Sequence, residues 1–176
     1  MGLPPRGGRP LRGAVPLTQE YRVAKKELTA EVTVAGEKPA ILKLFLAERT
    51  RAHAGDERPS DLLNGPDPFL PAVDRKGRLR LLRRDAVVVI TVPADHEPGS
   101  EATETDGTPL PSSRHADVEV ILESGDAIRG TVEYDMPESR SRLLDFLNRE
   151  DRCLAVRHKG QVHLVNKRHI ARVNEG

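Results

Sequence analysis

The chain has 176 residues, 37% hydrophobic, 31% charged and only 3% aromatic, with a formal net charge of +1. No stretch reaches the roughly 18 consecutive apolar residues of a membrane-spanning helix, no apolar leader core stands at the N-terminus, and the balanced charge implies neither a nucleic-acid nor a membrane partner. Cys153 is the only cysteine, which excludes an internal disulfide framework and any multi-cysteine zinc site.

Residues 1–27 open as MGLPPRGGRPLRGAVP, rich in Pro, Gly and Arg and poor in side chains that could fill a core. They are expected to form a flexible basic arm carrying Arg6, Arg9 and Arg12. Residues 28–92 carry hydrophobic patterning. Glu31 to Ala35 and Ile41 to Ala47 read as two strands, and residues 49–58 as a loop. Pro59-Ser60-Asp61 opens a short helix that Asn64-Gly65-Pro66 stops. Phe69 to Val73, Arg78 to Leu82 and Ala86 to Val92 follow as strands. The last run is nearly all β-branched, so one face is expected on its own unit and the other against the rest of the chain.

Residues 93–116 contain prolines, Ser/Thr and almost nothing apolar, and read as a disordered linker. Patterning resumes in residues 117–176. Val118, Val120 and Leu122 alternate with other residues as in a half-buried strand, Ser124-Gly125-Asp126 is a turn, and Ile128, Gly130, Val132 and Tyr134 give an antiparallel partner. Ser139 is the expected N-cap of a helix whose Leu143, Phe146 and Leu147 share one face, with Asn148 closing it in the left-handed region. Cys153 to Val156, Gln161 to Val165 and His169 to Val173 are the closing strands.

The two patterned segments repeat each other. Asp61-Leu62-Leu63-Asn64 matches Asp145-Phe146-Leu147-Asn148; then Phe69 aligns with Cys153, Gly77 with Gly160, Leu79 with Val162, Leu81 with Leu164, Arg84 with Lys167, Val87 with Ile170 and Ile90 with Val173. A tandem duplication follows. The repeated motif residues Asp61, Leu63, Asn64, Asp145, Leu147 and Asn148 are read as structural, each Asp fixing its helix start and each Asn its stop. The predicted fold is mainly β (α+β): two tandem small antiparallel β modules, each ββ-α-ββ(β). A unit of about 60 residues is marginal alone, so the two are expected to pack face to face as a pseudo-twofold pair.

The second segment resembles an uncharacterised bacterial family of small β domains with an LxDxLN helix and an LxNKxxI closing strand. The resemblance rests on Arg142 to Asn148 and on Leu164-Val165-Asn166-Lys167-Arg168-His169-Ile170. It implies a bacterial accessory module and brings no catalytic residues with it; the first segment has Arg83-Arg84-Asp85 in place of the Asn-Lys element. By fold analogy each unit is an SH3- or Sm-like barrel, except that an Sm fold begins with its helix.

Candidate sites are few. Cys153 takes a phenylalanine's place in the repeat and reads as a buried core residue. His158, His163 and His169 follow no usual zinc spacing and have no histidine counterparts in the first segment. Arg75, Lys76, Arg78, Arg80, Arg83 and Arg84 form a basic run, weakly echoed by Lys167, Arg168 and Arg172. Such a stripe suits phosphate backbones, but glycine-rich phosphate loops and stacking aromatics are missing. With no catalytic pair, metal set or cofactor fingerprint, the expectation is a cytoplasmic, non-catalytic module that binds a protein partner, with oligomerisation open to it. The alternative is an RNA- or DNA-binding module using the basic strand face.

Overall fold

The computed structural model describes residues 25–48, 55–99, 114–135 and 142–176. In chain order the elements are β1 (Lys25–Val34), β2 (Ala40–Ala47), α1 (Pro59–Asn64), β3 (Phe69–Asp74), β4 (Leu79–Arg83), β5 (Val87–Pro93), β6 (Arg114–Leu122), β7 (Ala127–Tyr134), α2 (Leu143–Leu147), β8 (Cys153–His158), β9 (Gln161–Asn166) and β10 (Ile170–Glu175). Single 3-10 turns precede β5 (Arg84–Ala86) and β10 (Lys167–His169), and a third (Ala94–His96) follows β5.

Strand alternation decides which face is buried. Leu28, Ala30 and Val32 of β1 and Leu42, Leu44 and Leu46 of β2 point inward, while Glu27, Thr29 and Lys43 are exposed. Val118, Val120 and Leu122 of β6 do the same in the second half. The β3–β4 and β8–β9 hairpins both turn through a glycine with positive φ, Gly77 and Gly160 at +76° each, a conformation that strains any residue with a Cβ.

All ten strands form one antiparallel sheet in the order β10-β6-β7-β8-β9-β5-β1-β2-β3-β4. The first half runs β5-β1-β2-β3-β4, and the same order recurs in the second as β10-β6-β7-β8-β9. The sheet is open. The expected face-to-face pair of barrels with a pseudo-twofold axis is replaced by an edge-to-edge seam, in which β9 pairs with β5 from Val89↔Val165 through Pro93↔Gln161. A twofold axis would pair an element with its own counterpart; here the fourth strand of one half meets the fifth of the other. Each half is itself an open sheet with two edges, and the seam supplies partners for the N–H and C=O groups of one edge of each.

The seam also makes each half contribute to both of the two cores. Val87, Ile90 and Val92 of β5 belong to the first cluster with Leu44 and Leu63, while Val88 and Val89 enter the second with Val120 and Leu154. The β-branched run is therefore covered on both faces, as expected. In return Cys153, Val162 and Leu164 of the second half lie in the first cluster.

Several local expectations are corrected. β1 and β6 begin at Lys25 and Arg114, inside the stretches read as arm and linker. Arg142, not Ser139, is the N-cap of α2, and Asn148 sits at φ −82°, outside the left-handed region. Ser139, the remainder of the arm and of the linker, and residues 49–54 lie outside the described residues.

At Gly130 of β7 a Cβ would stand 2.3 Å from the carbonyl oxygen of Arg157 and 2.9 Å from Val156 Cγ1. The obstacle is backbone of β8, so it cannot rotate away. Gly130→Ala is expected to destabilise the fold by about 1–3 kcal/mol, read as a lower denaturation midpoint. An unchanged midpoint would mean that β7 and β8 do not approach this closely.

Candidate functional site

The seam carries most of the polar contacts between the halves. α1 ends at Asn64, whose Oδ1 accepts hydrogen bonds from the backbone N–H of Arg152 (2.8 Å) and Cys153 (3.2 Å), while its Nδ2 lies 3.5 Å from Cys153 Sγ. Asn64 is the last residue of the helix, where the stop was expected, and its side chain also ties that helix to the start of β8. Asn166 Nδ2 donates to the carbonyl oxygen of Val87 at 2.9 Å, and His169 Nε2 lies 2.7 Å from that of Asp85. Glu97 accepts from Ser60 N (3.0 Å) and Ser60 Oγ (2.7 Å), and its own carbonyl takes Arg157 Nη2 at 2.9 Å.

Cys153 is buried beneath α1, with Sγ 3.9 Å from the Ser60 carbonyl. Burial, assisted by the Glu97 carboxylate, pushes its thiol up to about 12, so the thiolate needed by a nucleophile is suppressed at neutral pH. Its repeat partner Phe69 is 54% exposed, against the expectation that both fill a core site. The difference is positional: Cys153 has α1 above it, whereas Phe69 lies at the outer end of the sheet.

Asp61 Oδ2 accepts from Arg58 N at 2.8 Å, the turn-fixing role read from its position. Asp145 occupies the first turn of the separate helix α2. Leu63 is buried and Leu147 half-buried beneath their helices. His163 Nδ1 is 3.0 Å from Thr91 Oγ1 across the seam, and His158 is exposed at the end of β8. Among the described residues no three His, Cys, Asp or Glu side chains are grouped to hold a metal.

The basic candidates do not form one stripe. Arg84 is 3% exposed and donates from Nε to the Leu62 carbonyl at 2.7 Å and from Nη1 to that of Gly65, fastening the end of α1. Arg78 Nη2 is 2.8 Å from Asp74 Oδ2. Hydrogen bonds from the Arg78 backbone and side chain and the Lys76 backbone hold the Asp74 carboxyl below its usual range. Arg75, Lys76, Arg80 and Arg83 are exposed around the β3–β4 hairpin. Lys167 is half-buried, donating to the Arg149 carbonyl at 3.1 Å and lying 5.9 Å from the centre of the Phe146 ring. Arg168 pairs with Asp85 at 3.7 Å, and Arg172 lies on β10 at the opposite edge of the sheet.

What sequence reasoning missed is apolar. Among the described residues the exposed large hydrophobics are Phe69 (54%), Leu79 (64%), Leu81 (65%) and Leu144 (63%). Three of them stand on the β3–β4 hairpin, whose outer strand β4 pairs with β3 alone among the described strands. The signal was the missing neighbour: β4 is the last strand at its end of the sheet among the described residues.

Comparison of the chain with protein-family models, with curated proteins and with solved structures finds no match. No helix among the described residues is long and apolar enough to cross a membrane.

Asn64→Ala strips two backbone donors at the seam of their acceptor, one exposed and one part-buried, and is expected to cost about 1 kcal/mol, measured by urea unfolding. Asn148→Ala, exposed like Asn64 but away from the seam, is expected to cost well under half of that; equal losses would show that the seam contact does not matter. The His163 imidazole is held below its ordinary value by burial, then by neighbouring His158, with Glu31 opposing. The unfolded chain therefore takes up this proton first, near pH 6.5. Stability should be full above that pH and fall as pH drops below it, down to the lower pKa of the folded state. His163→Gln should reduce this acid slope in unfolding curves recorded between pH 5 and 7.5; an unchanged slope would assign it to other groups.

Proposed function

We propose that the chain is a non-catalytic interaction module, built by tandem duplication of a small β unit, whose recognition element is the free edge strand β4. One observation carries this reading: Phe69, Leu79 and Leu81 are exposed together on the outermost hairpin, and β4 has an unpaired edge among the described residues. Exposed leucines beside open backbone donors and acceptors suit strand addition, in which main-chain hydrogen bonds supply affinity and side chains supply selectivity. Edge strands without a binding role are guarded by charge on their outward positions; here the guards Arg80 and Arg83 leave both leucines uncovered. The resemblance of the second half to a bacterial accessory domain fits this reading, and the cytoplasm is the proposed location.

A nucleic-acid role is favoured by one feature, the exposed Arg75, Lys76, Arg80 and Arg83 on that same hairpin. Protein recognition is preferred because Arg84 and Lys167 are committed to carbonyls inside the protein and Arg172 is at the other edge.

Immobilised full-length protein and its Leu79→Glu/Leu81→Glu variant, each exposed to bacterial lysate, test the reading. Protein partners retained by the first and lost by the second are the expected result. Identical partner sets on both would overturn it. So would salt-sensitive retention of single- or double-stranded nucleic acid by the unaltered protein near about 50 mM salt, where phosphate contacts are strong.

A further inference from the structure

We infer that the partner of the β4 edge is a second copy of this chain, docked head to tail so that β4 of one molecule pairs antiparallel with β10 of the next. The inference rests on the reading of β4 as a recognition strand and names its occupant.

The internal seam supplies the template. There the fourth strand of the second half, β9, pairs with the fifth strand of the first, β5. The sheet ends on the same two strand types left over: the fourth strand of the first half, β4, and the fifth strand of the second, β10. The molecule thus carries both halves of its own seam, one at each end.

The exposed hydrophobics fall where that template buries side chains. Within the molecule Cys153, Val162 and Leu164 of the second half enter the core of the first. Their repeat counterparts are Phe69, Leu79 and Leu81, three of the four large hydrophobics left in solvent among the described residues. The fourth, Leu144, precedes Asp145 as Ser60 precedes Asp61, and Ser60 belongs to the helix that roofs Cys153. Leu144 of a second copy would accordingly roof Phe69. On the far strand, Ala171 and Arg172 are both exposed and stand where Val88 and Val89 reach into the other half.

The register transfers as well. Ile90↔Leu164 and Val92↔Val162 in the seam become Val173↔Leu81 and Glu175↔Leu79 between molecules. Two polar differences set the strength. Asn148 stands where Asn64 does, but the backbone donor of Arg152 is replaced by Pro68, which has none, and the seam residue Asn166 is replaced by Arg83. The contact between molecules is therefore weaker than the seam, and assembly depends on concentration. Each docking leaves a fresh β4 and a fresh β10, so the series ends in a closed ring or continues as a filament.

Sedimentation velocity on the full chain over a range of concentrations tests this. The unaltered protein is expected to shift to larger species as concentration rises. Leu79→Glu/Leu81→Glu disables one end, placing an acid opposite Glu175; Leu144→Glu/Ala171→Glu disables the other. All four positions are exposed, so both variants should keep the circular-dichroism spectrum and unfolding midpoint of the parent. Each alone should stay monomeric, and their mixture should give a one-to-one heterodimer and nothing larger, because one intact β4 end and one intact β10 end remain. A parent that is monomeric at every concentration, or a mixture that forms no heterodimer, overturns the inference. If the parent is monomeric yet its lysate partners are still lost on Leu79→Glu/Leu81→Glu, the second copy is refuted as occupant while β4 stands as a recognition strand.

Discussion

The pairing of β5 with β9 is the constraint from which the rest of the structure follows. Each strand closes its own half and would otherwise be an edge, with unpaired backbone on one side and aliphatic side chains on both faces. Joined, they satisfy that backbone and bury Val162 and Leu164 in one core and Val88 and Val89 in the other. Full burial of each such side chain contributes about 1.5–3 kcal/mol. That is a large share of the net stability of a unit of about 60 residues, which is marginal alone. The halves are consequently not independent modules on a string; each completes the core of the other.

The polar groups near the seam follow from the same geometry. α1 must lie over the start of β8, and its end is fixed from two sides: Arg84 takes the Leu62 and Gly65 carbonyls, and Asn64 takes the β8 amides. A helix this short cannot hold itself together in water, so these side chains decide its position. Cys153 is shielded as a by-product, and its raised pKa follows chiefly from burial beneath α1.

Alternation in β6 and β7, the glycine turns, the short helices and the double-faced β5 were legible, because each is written in local periodicity or local φ requirements, whereas β1 was read only from Glu31 and its first six residues were missed. The roles of Asn64, Arg84 and Phe69 were not. Asn64 read as a helix stop and Arg84 as one of a basic run, since nothing local distinguishes an arginine facing water from one facing two helix carbonyls. The reading of Phe69 failed for a different reason. Alignment with Cys153 carried the assumption that repeated positions have repeated surroundings, but an edge-to-edge array has ends, and a repeat at an end lacks the neighbour that its twin possesses. Sequence repetition reports which residues correspond; only topology reports which of them has something beside it.

That distinction bears on what the exposed leucines mean. A random scatter of surface hydrophobics would need no explanation. Phe69, Leu79, Leu81 and Leu144 are not scattered: each occupies a position whose counterpart lies at the seam, and they divide between the two ends of the sheet. The two ends also differ in kind, one offering a fourth strand and the other a fifth. A patch at one end alone would leave the choice of partner open. Exposed apolar positions at both ends, related to each other as the two sides of an existing interface, are what support the proposed partner, one that carries the same pair of ends. The asymmetry of the seam, fourth strand against fifth rather than like against like, is what gives any such assembly its direction.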